Sequence, residues 1–251
     1  MDKLHDIIKG YSSEKDTIGM SGADVYKLEK GDSTLYLKVT ESAEEIRREY
    51  DIMRWLNGKL PVPEVLYFDG SYLLMTAVDG EMAWDSATDL LREPIEDTIH
   101  ALAEGLKMLW AVDITECPFE NRLDKKLADA LYNVEHGLVD PNAFDDANTG
   151  RTPMDIYSEL LRKRPAIDEL TFTHGDYCPE NIFTDGEKMT GLIDFDRTGI
   201  ADKWQDIALC VRSIRYHTDD AERCIAELFV QLGITPDWEK IDYYILLDEL
   251  F

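Results

Sequence analysis

Apolar and polar positions alternate on both sides of the break Lys30-Gly31-Asp32-Ser33, which predicts a β-hairpin over residues 25–39. In its second half, Leu35, Leu37 and Val39 fall on one face of the strand, and Tyr36 and Lys38 on the other. The period then lengthens in "ESAEEIRREYDIMRWLNG", which predicts a helix. Ser42 is its expected N-cap, with Glu45 completing a capping box, and Gly58 stops it before Pro61 and Pro63. Ile46, Ile52, Met53 and Leu56 share one face of this helix, and Glu49 lies on that same face. Two more strands are expected around Asp69-Gly70. Helical periodicity then dominates, over 95–111, 123–135, 154–163, 201–216, 221–232 and 238–250. Short β-like runs at 171–173, 181–184 and 190–195 interrupt it.

The expectation is an α+β chain with a small β-rich N-lobe carrying one key helix and a larger helical C-lobe. The boundary falls in "LMTAVDG", giving residues 1–78 and 79–251. That stretch does not look like a flexible linker, so the lobes are expected to touch and enclose a cleft, a common ligand site. Trp84, Trp110, Trp204 and Trp238 read as core residues.

Composition adds one strong deviation. The chain carries 52 acidic against 26 basic residues, a net charge of −26. This argues against a nucleic-acid partner, which needs positive surface, and favours small cations. Acidity alone is also what a soluble protein uses to stay dispersed. No apolar run approaches the roughly 18 residues that span a bilayer, so no membrane role is expected. The N-terminal "MDKLHDIIKGYSS" lacks a signal-peptide core, and the four cysteines lack paired spacing; free thiols in a cytoplasmic protein are expected.

Chemistry concentrates in a few places. Lys38 is a cation in an apolar strand and Glu49 an anion on an apolar helix face, so each is the other's natural partner. A structural ion pair, or snorkelling of both chains to water, fits the same pattern. Upstream, "GMSGADVYKL" has the glycines of a turn that can approach phosphate closely. Downstream, "FTHGDYCPENIFTDGEKMTGLIDFDRTG" sets Asp176, Asn181 and Asp194 against β-like apolar runs. Mg²⁺ takes oxygen ligands, few from protein and the rest from phosphate and water, so Asn181 and Asp194 are candidate ligands. Asp176, unligated, can accept a hydroxyl proton. His174 reads as structural, and Cys178 as merely a small side chain. A glycine turn, strand lysine, helix glutamate, H-x-D-x4-N loop and metal aspartate, in that order, are the parts of the kinase phosphoryl-transfer apparatus, with Gly175 in place of its arginine.

"HGDYCPENIF", "GLIDFDRTGIADKWQDIALCVRSIR" and the terminal "PDWEKIDYYILLDELF" resemble the aminoglycoside 3′-phosphotransferases, kinase-fold enzymes of antibiotic resistance. "GMSGADVYKL", "LYLKV" and "KLPVPEVL" match the same family's N-lobe, so the likeness covers essentially the whole chain. It implies transfer of the γ-phosphate of ATP, or of GTP, to the 3′-hydroxyl of kanamycin- or neomycin-like antibiotics, with Mg²⁺. It also implies roles. Lys38, oriented by Glu49, holds the α and β phosphates; Met20 and Ser21 cover them. Tyr36 stacks on adenine, and the backbone of Thr76 and Val78 meets its edge. Asp176 is the base or hydroxyl-orienting group, Asn181 and Asp194 bind Mg²⁺, and Arg197 pairs with nearby negative charge.

A polycationic substrate calls for an acidic pocket. Asp145 and Asp146 lie in an acid-rich loop, and Asp248, Glu249 and the Phe251 carboxylate end a helix that should dock. On general grounds each acid reads as solvated surface, and it is the resemblance that points to the pocket instead. The family's acid ahead of the loop aromatic is missing, since Asn142 and Ala143 precede Phe144, which leaves the substrate range open. The competing expectation keeps the fold but takes another small hydroxylated substrate: choline, homoserine, a methylthio-sugar or a macrolide. Oligomeric state is not readable.

Overall fold

The computed structural model describes residues 2–16, 23–40, 42–186 and 188–251. The chain forms two compact units, Met1–Gly80 with Thr190–Asp196, and Glu81–Met189 with Arg197–Phe251. The first therefore runs two residues beyond the expected boundary at Val78 and also takes up a segment from far downstream.

The first unit is built on α1 (Asp2–Ile8), β1 (Ser12–Lys15), β2 (Asp24–Lys30), β3 (Ser33–Val39), α2 (Ala43–Leu56), β4 (Val65–Phe68) and β5 (Tyr72–Thr76). Its antiparallel sheet has the order β1-β2-β3-β5-β4. Leu35 and Leu37 of β3 bury with Leu4, Leu28 and Leu74, so α1 covers one face of the sheet. The alternation of β3 turns Tyr36 and Lys38 to the opposite face. There Ile46, Ile52, Met53 and Leu56 of α2 are buried, and so is Glu49. Ser42 is the N-cap, but its hydroxyl makes no capping bond among the described residues; the Glu45 half of the expected capping box lies outside what the structure describes. Instead the Ser42 N–H donates to Thr40 Oγ1 at 3.0 Å.

The second unit contains β6 (Glu81–Met82), β7 (Trp84–Asp85), β8 (Leu90–Leu91), α3 (Ile95–Trp110), α4 (Leu123–Glu135), α5 (Pro153–Lys163), β9 (Leu170–Thr173), β10 (Ile182–Thr184), β12 (Gly199–Asp202), α6 (Trp204–His217), α7 (Ala221–Leu232) and α8 (Trp238–Asp248), while β11 spans Met189–Leu192. α6 packs on α8 and α7, and α3 packs on α7. β9 pairs with β12, which fixes the two ends of the segment between them. The expected helix from 201 begins only at Trp204, because Ala201 and Asp202 belong to that ladder. Trp204 is core as expected, whereas Trp238 is 43% exposed. No helix among the described residues is long and apolar enough to cross a membrane, and all four cysteines are free.

Candidate functional site

The period of two in β3 and the buried face of α2 bring Lys38 and Glu49 together, with Nζ 2.8 Å from Oε2 and side chains only 13% and 6% exposed. Burial opposes the charge on Lys38, but Glu49, Asp194 and Asp196 outweigh it, and the ammonium is held above the ordinary lysine range. Burial likewise pushes the Glu49 carboxyl up, and Lys38 pulls it back. Such a pair contributes little net stability over well-packed apolar residues, because desolvation offsets the attraction. Stability alone therefore does not explain it.

Asp194 belongs to the same unit and has φ 63°, in the left-handed region. That costs a residue with a side chain about 1 kcal/mol, least for Asp and Asn, and such outliers cluster at functional sites. The segment around Asp194 is firmly tied. Leu192 N–H donates to Pro61 O at 3.0 Å, and Arg48 Nε to Asp196 O at 2.8 Å. Thr190 Oγ1 donates to Asp79 O at 2.6 Å. A Cβ on Gly191 would stand 2.5 Å from Val78 Cβ, so glycine permits this contact. Tyr36 is half-buried on the Lys38 face. Thr76 already donates its N–H to Glu64 O at 3.0 Å, whereas the Val78 N–H has no hydrogen-bond partner among the described residues. Met20 and Ser21 lie outside the described residues.

In the second unit the chain leaves β9 through His174-Gly175-Asp176 and reaches β10 by a 3₁₀ turn, Pro179–Asn181. The fully buried Asp206 of α6 shapes this loop. Its carboxylate accepts the N–H of His174 at 2.7 Å and of Gly175 at 2.8 Å. Gly175 has φ +87°, and a Cβ there would lie 1.9 Å from Arg197 O. No arginine or any other side chain fits at that position. His174 is fully buried and its carbonyl accepts from Thr198 Oγ1 at 2.8 Å, as a structural residue should.

Asn181 donates its amide to Asp176 O at 3.0 Å and Asp176 Oδ2 at 3.4 Å, and also approaches Cys178 Sγ at 3.2 Å. With the NH₂ so engaged, the Asn181 carbonyl oxygen is the atom left to meet a cation. Burial drives the Cys178 thiol well above its ordinary range, so it is inert. No cluster of three or more His, Cys, Asp or Glu able to hold a metal occurs among the described residues. An amide oxygen such as that of Asn181 is, taken singly, a donor of the kind Mg²⁺ accepts, because that ion needs few protein ligands and takes the rest from phosphate and water.

The acids expected to grip a cationic substrate separate into distinct settings. Asp248, with an 11% exposed side chain, pairs with Arg197 at 3.2 Å and Arg212 at 2.7 Å. Glu249 accepts from Asn148 Nδ2 at 2.7 Å and the Asp145 N–H at 3.1 Å. Burial raises its carboxyl and these donors lower it, with the net shift upward. Asp145 also accepts from the Tyr216 hydroxyl. Asp146 stands apart, exposed and without a side-chain hydrogen bond among the described residues. The chain end is held: Leu250 is fully buried, its carbonyl accepts from Asn133 Nδ2 at 2.9 Å, and Lys240 of α8 pairs with buried Asp202 at 2.9 Å. Phe251 itself is 40% exposed.

Asp206, Asn148 and Lys126 escaped the sequence reading. Asp206 carried a signal: it shares a helix face with Leu209 and Cys210, as Glu49 shares one with Ile52 and Met53.

The model of the phosphotransferase enzyme family matches residues 18–244. The chain is 44% identical to an aminoglycoside 3′-phosphotransferase of Enterococcus faecalis, over 99% of this chain and 97% of that protein. It is 43% identical to one of Staphylococcus aureus, with the same coverage. A solved aminoglycoside-3′-phosphotransferase of type VIII superposes with a TM-score of 0.85 at 32% identity, covering 100% of this chain and 99% of that one. The chain belongs to the aminoglycoside 3′-phosphotransferase family, phosphotransferase enzymes of kinase-like fold.

Proposed function

We propose that this protein transfers the γ-phosphate of ATP to the 3′-hydroxyl of a kanamycin- or neomycin-type aminoglycoside in the cytoplasm, and so confers resistance. The observation that carries the reading is full-length family likeness together with an intact Lys38–Glu49, Asp176, Asn181 and Asp194 set. The first unit is the nucleotide-binding one. Lys38, kept charged and aimed by Glu49, holds the α and β phosphates, and Tyr36 stacks on the base. The unpartnered Val78 N–H is a donor for the adenine edge; Thr76 offers its carbonyl, since its N–H is engaged. Met20 and Ser21 complete the phosphate cover by family likeness alone.

The second unit supplies the acceptor chemistry. Asp176 receives the proton of the sugar hydroxyl as it attacks phosphorus, and Asn181 holds the Asp176 carboxylate in orientation. Asn181 and Asp194 would hold Mg²⁺, which would supply positive charge against the phosphates. Asp145 and Glu249 face the substrate ammonium groups, Phe251 joins them by family likeness alone, and Asp146 adds field from the exposed side. Asp248 acts chiefly by fixing Arg197, whose guanidinium balances phosphate charge.

The test is ADP release from purified protein with MgATP, or MgGTP, against kanamycin, neomycin, choline, homoserine, a methylthio-sugar and a macrolide. Release is expected with the aminoglycosides, and Asp176→Ala should lower kcat by about 10² to 10⁴-fold. Release with choline or a methylthio-sugar alone contradicts the substrate assignment.

A further inference from the structure

His217 ends α6, its side chain 14% exposed, and each ring nitrogen meets an oxygen from a different part of the second unit. Nδ1 lies 3.0 Å from the carbonyl oxygen of Asp89, in the turn between β7 and β8. A carbonyl only accepts, so Nδ1 carries a proton. Nε2 lies 3.2 Å from Glu180 Oε1. An imidazolium donates at both nitrogens and suits both oxygens, whereas a neutral ring has one N–H. The C-terminal end of a helix favours such a cation. The hairpin turn that His217 grips is itself fixed. Asp89 has φ 59°, in the left-handed region, and its N–H donates to Asp85 O at 2.9 Å. Its carboxylate accepts from Trp84 Nε1 at 3.0 Å, and the Trp84 ring stands edge-on to the imidazole, 6.3 Å between centroids.

Glu180 is the middle residue of the 3₁₀ turn Pro179–Asn181. Two backbone bonds close that turn, Asn181 N–H to Cys178 O at 3.0 Å and Ile182 N–H to Pro179 O. Bonds of this kind have poorer geometry than those of an α-helix, so the turn gains from side-chain support. Glu180 Oε2 is buried without a hydrogen-bond partner, and the Cys178 thiol neighbours the same carboxylate. A carboxylate so placed is costly unless a cation offsets it, and His217 supplies that offset from outside the turn. We propose that His217 is a positioning residue for phosphoryl transfer: by tying Glu180 to the β7–β8 turn it braces the 3₁₀ turn, and with it the Asn181 amide that orients Asp176. The catalytic part rests on the function proposed above; the brace does not.

Hydrogen exchange at the Asn181 and Ile182 amides, followed by NMR, reads the brace without reference to activity. In His217→Asn the side-chain amide matches the place of Nδ1 and falls short of Glu180; in His217→Gln it matches the place of Nε2 and reaches Glu180. His217→Asn should speed exchange at both amides about tenfold, while amides of α3 keep the wild-type rate. It should also lower kcat about tenfold with the KM for kanamycin within about twofold. His217→Gln should restore both readouts, whereas a simple loss of packing would affect the two substitutions alike. Glu180→Ala should show the same fast exchange, and adding His217→Asn to it should change nothing further. Glu180→Ala alone decides the matter if His217→Asn does not fold. Unchanged exchange in Glu180→Ala, or equal effects of His217→Asn and His217→Gln, overturns the brace. Faster exchange with kcat unchanged overturns the positioning role. Faster exchange in a protein that phosphorylates no aminoglycoside upholds the brace and overturns the substrate reading instead.

Discussion

Single positions carry much of the mechanism, and Gly175 is the sharpest case. Its positive φ and the 1.9 Å gap between a built Cβ and Arg197 O leave no route for a side chain. Gly175→Ala should therefore destabilise the protein by about 2 kcal/mol or more and disturb Asp176 next to it. Urea denaturation measures this, and a loss below about 0.5 kcal/mol contradicts the packing described. The departure from the kinase pattern at this residue was visible in the sequence; its cause was not, because Arg197 lies distant in the chain. Lys38 and Glu49 were legible, since strand and helix periods fix which face each occupies. The left-handed backbone of Asp194 was not, because no local pattern encodes an unfavourable φ at an aspartate.

Among elements, the long periodic ones were readable and the short ones were not. α4 and α7 match their expected bounds, because thirteen and twelve residues give a clear apolar stripe. α1 has seven residues, and β6, β7 and β8 have two each, too few for a period to register. β12 was merged with α6 because Ala201 and Asp202 offer no strand signal without β9 beside them. The start of α6 is anchored by Glu169, whose carboxylate meets Lys203 at 2.6 Å, Trp204 Nε1 at 2.6 Å and Lys240 at 3.4 Å. The Lys203 hydrogen bond leads the forces that lower its pKa to about 2. A carboxyl depressed in the fold contributes stability above its unfolded pKa and loses it as pH falls through the folded one. The stability gap between wild type and Glu169→Gln should accordingly shrink between pH of about 5 and about 2. The Glu169 side chain is 44% exposed, so solvent screening keeps that gap small. A gap that widens on acidification contradicts the anchor.

For the whole molecule, the net charge of −26 acts as a field on a polycationic substrate. Raising salt from about 0.1 M to about 1 M shortens the screening length from about 10 Å to about 3 Å. The KM for kanamycin should rise several-fold while kcat changes by less than about twofold, in steady-state kinetics at fixed MgATP. A salt-independent KM means that local contacts alone hold the substrate. The α+β class and the family were readable from motif order across the full length. The reassignment of residues 190–196 to the first unit was not, because it depends on contacts with Pro61, Val78 and Arg48 rather than on any boundary signal.

The central claim is phosphoryl transfer to one hydroxyl of an aminoglycoside, and a matched substrate pair tests it most directly. MgATP-dependent ADP release is followed with kanamycin and with its 3′-deoxy analogue. The account predicts turnover of kanamycin and none of the analogue; equal turnover of both, or of neither, contradicts it.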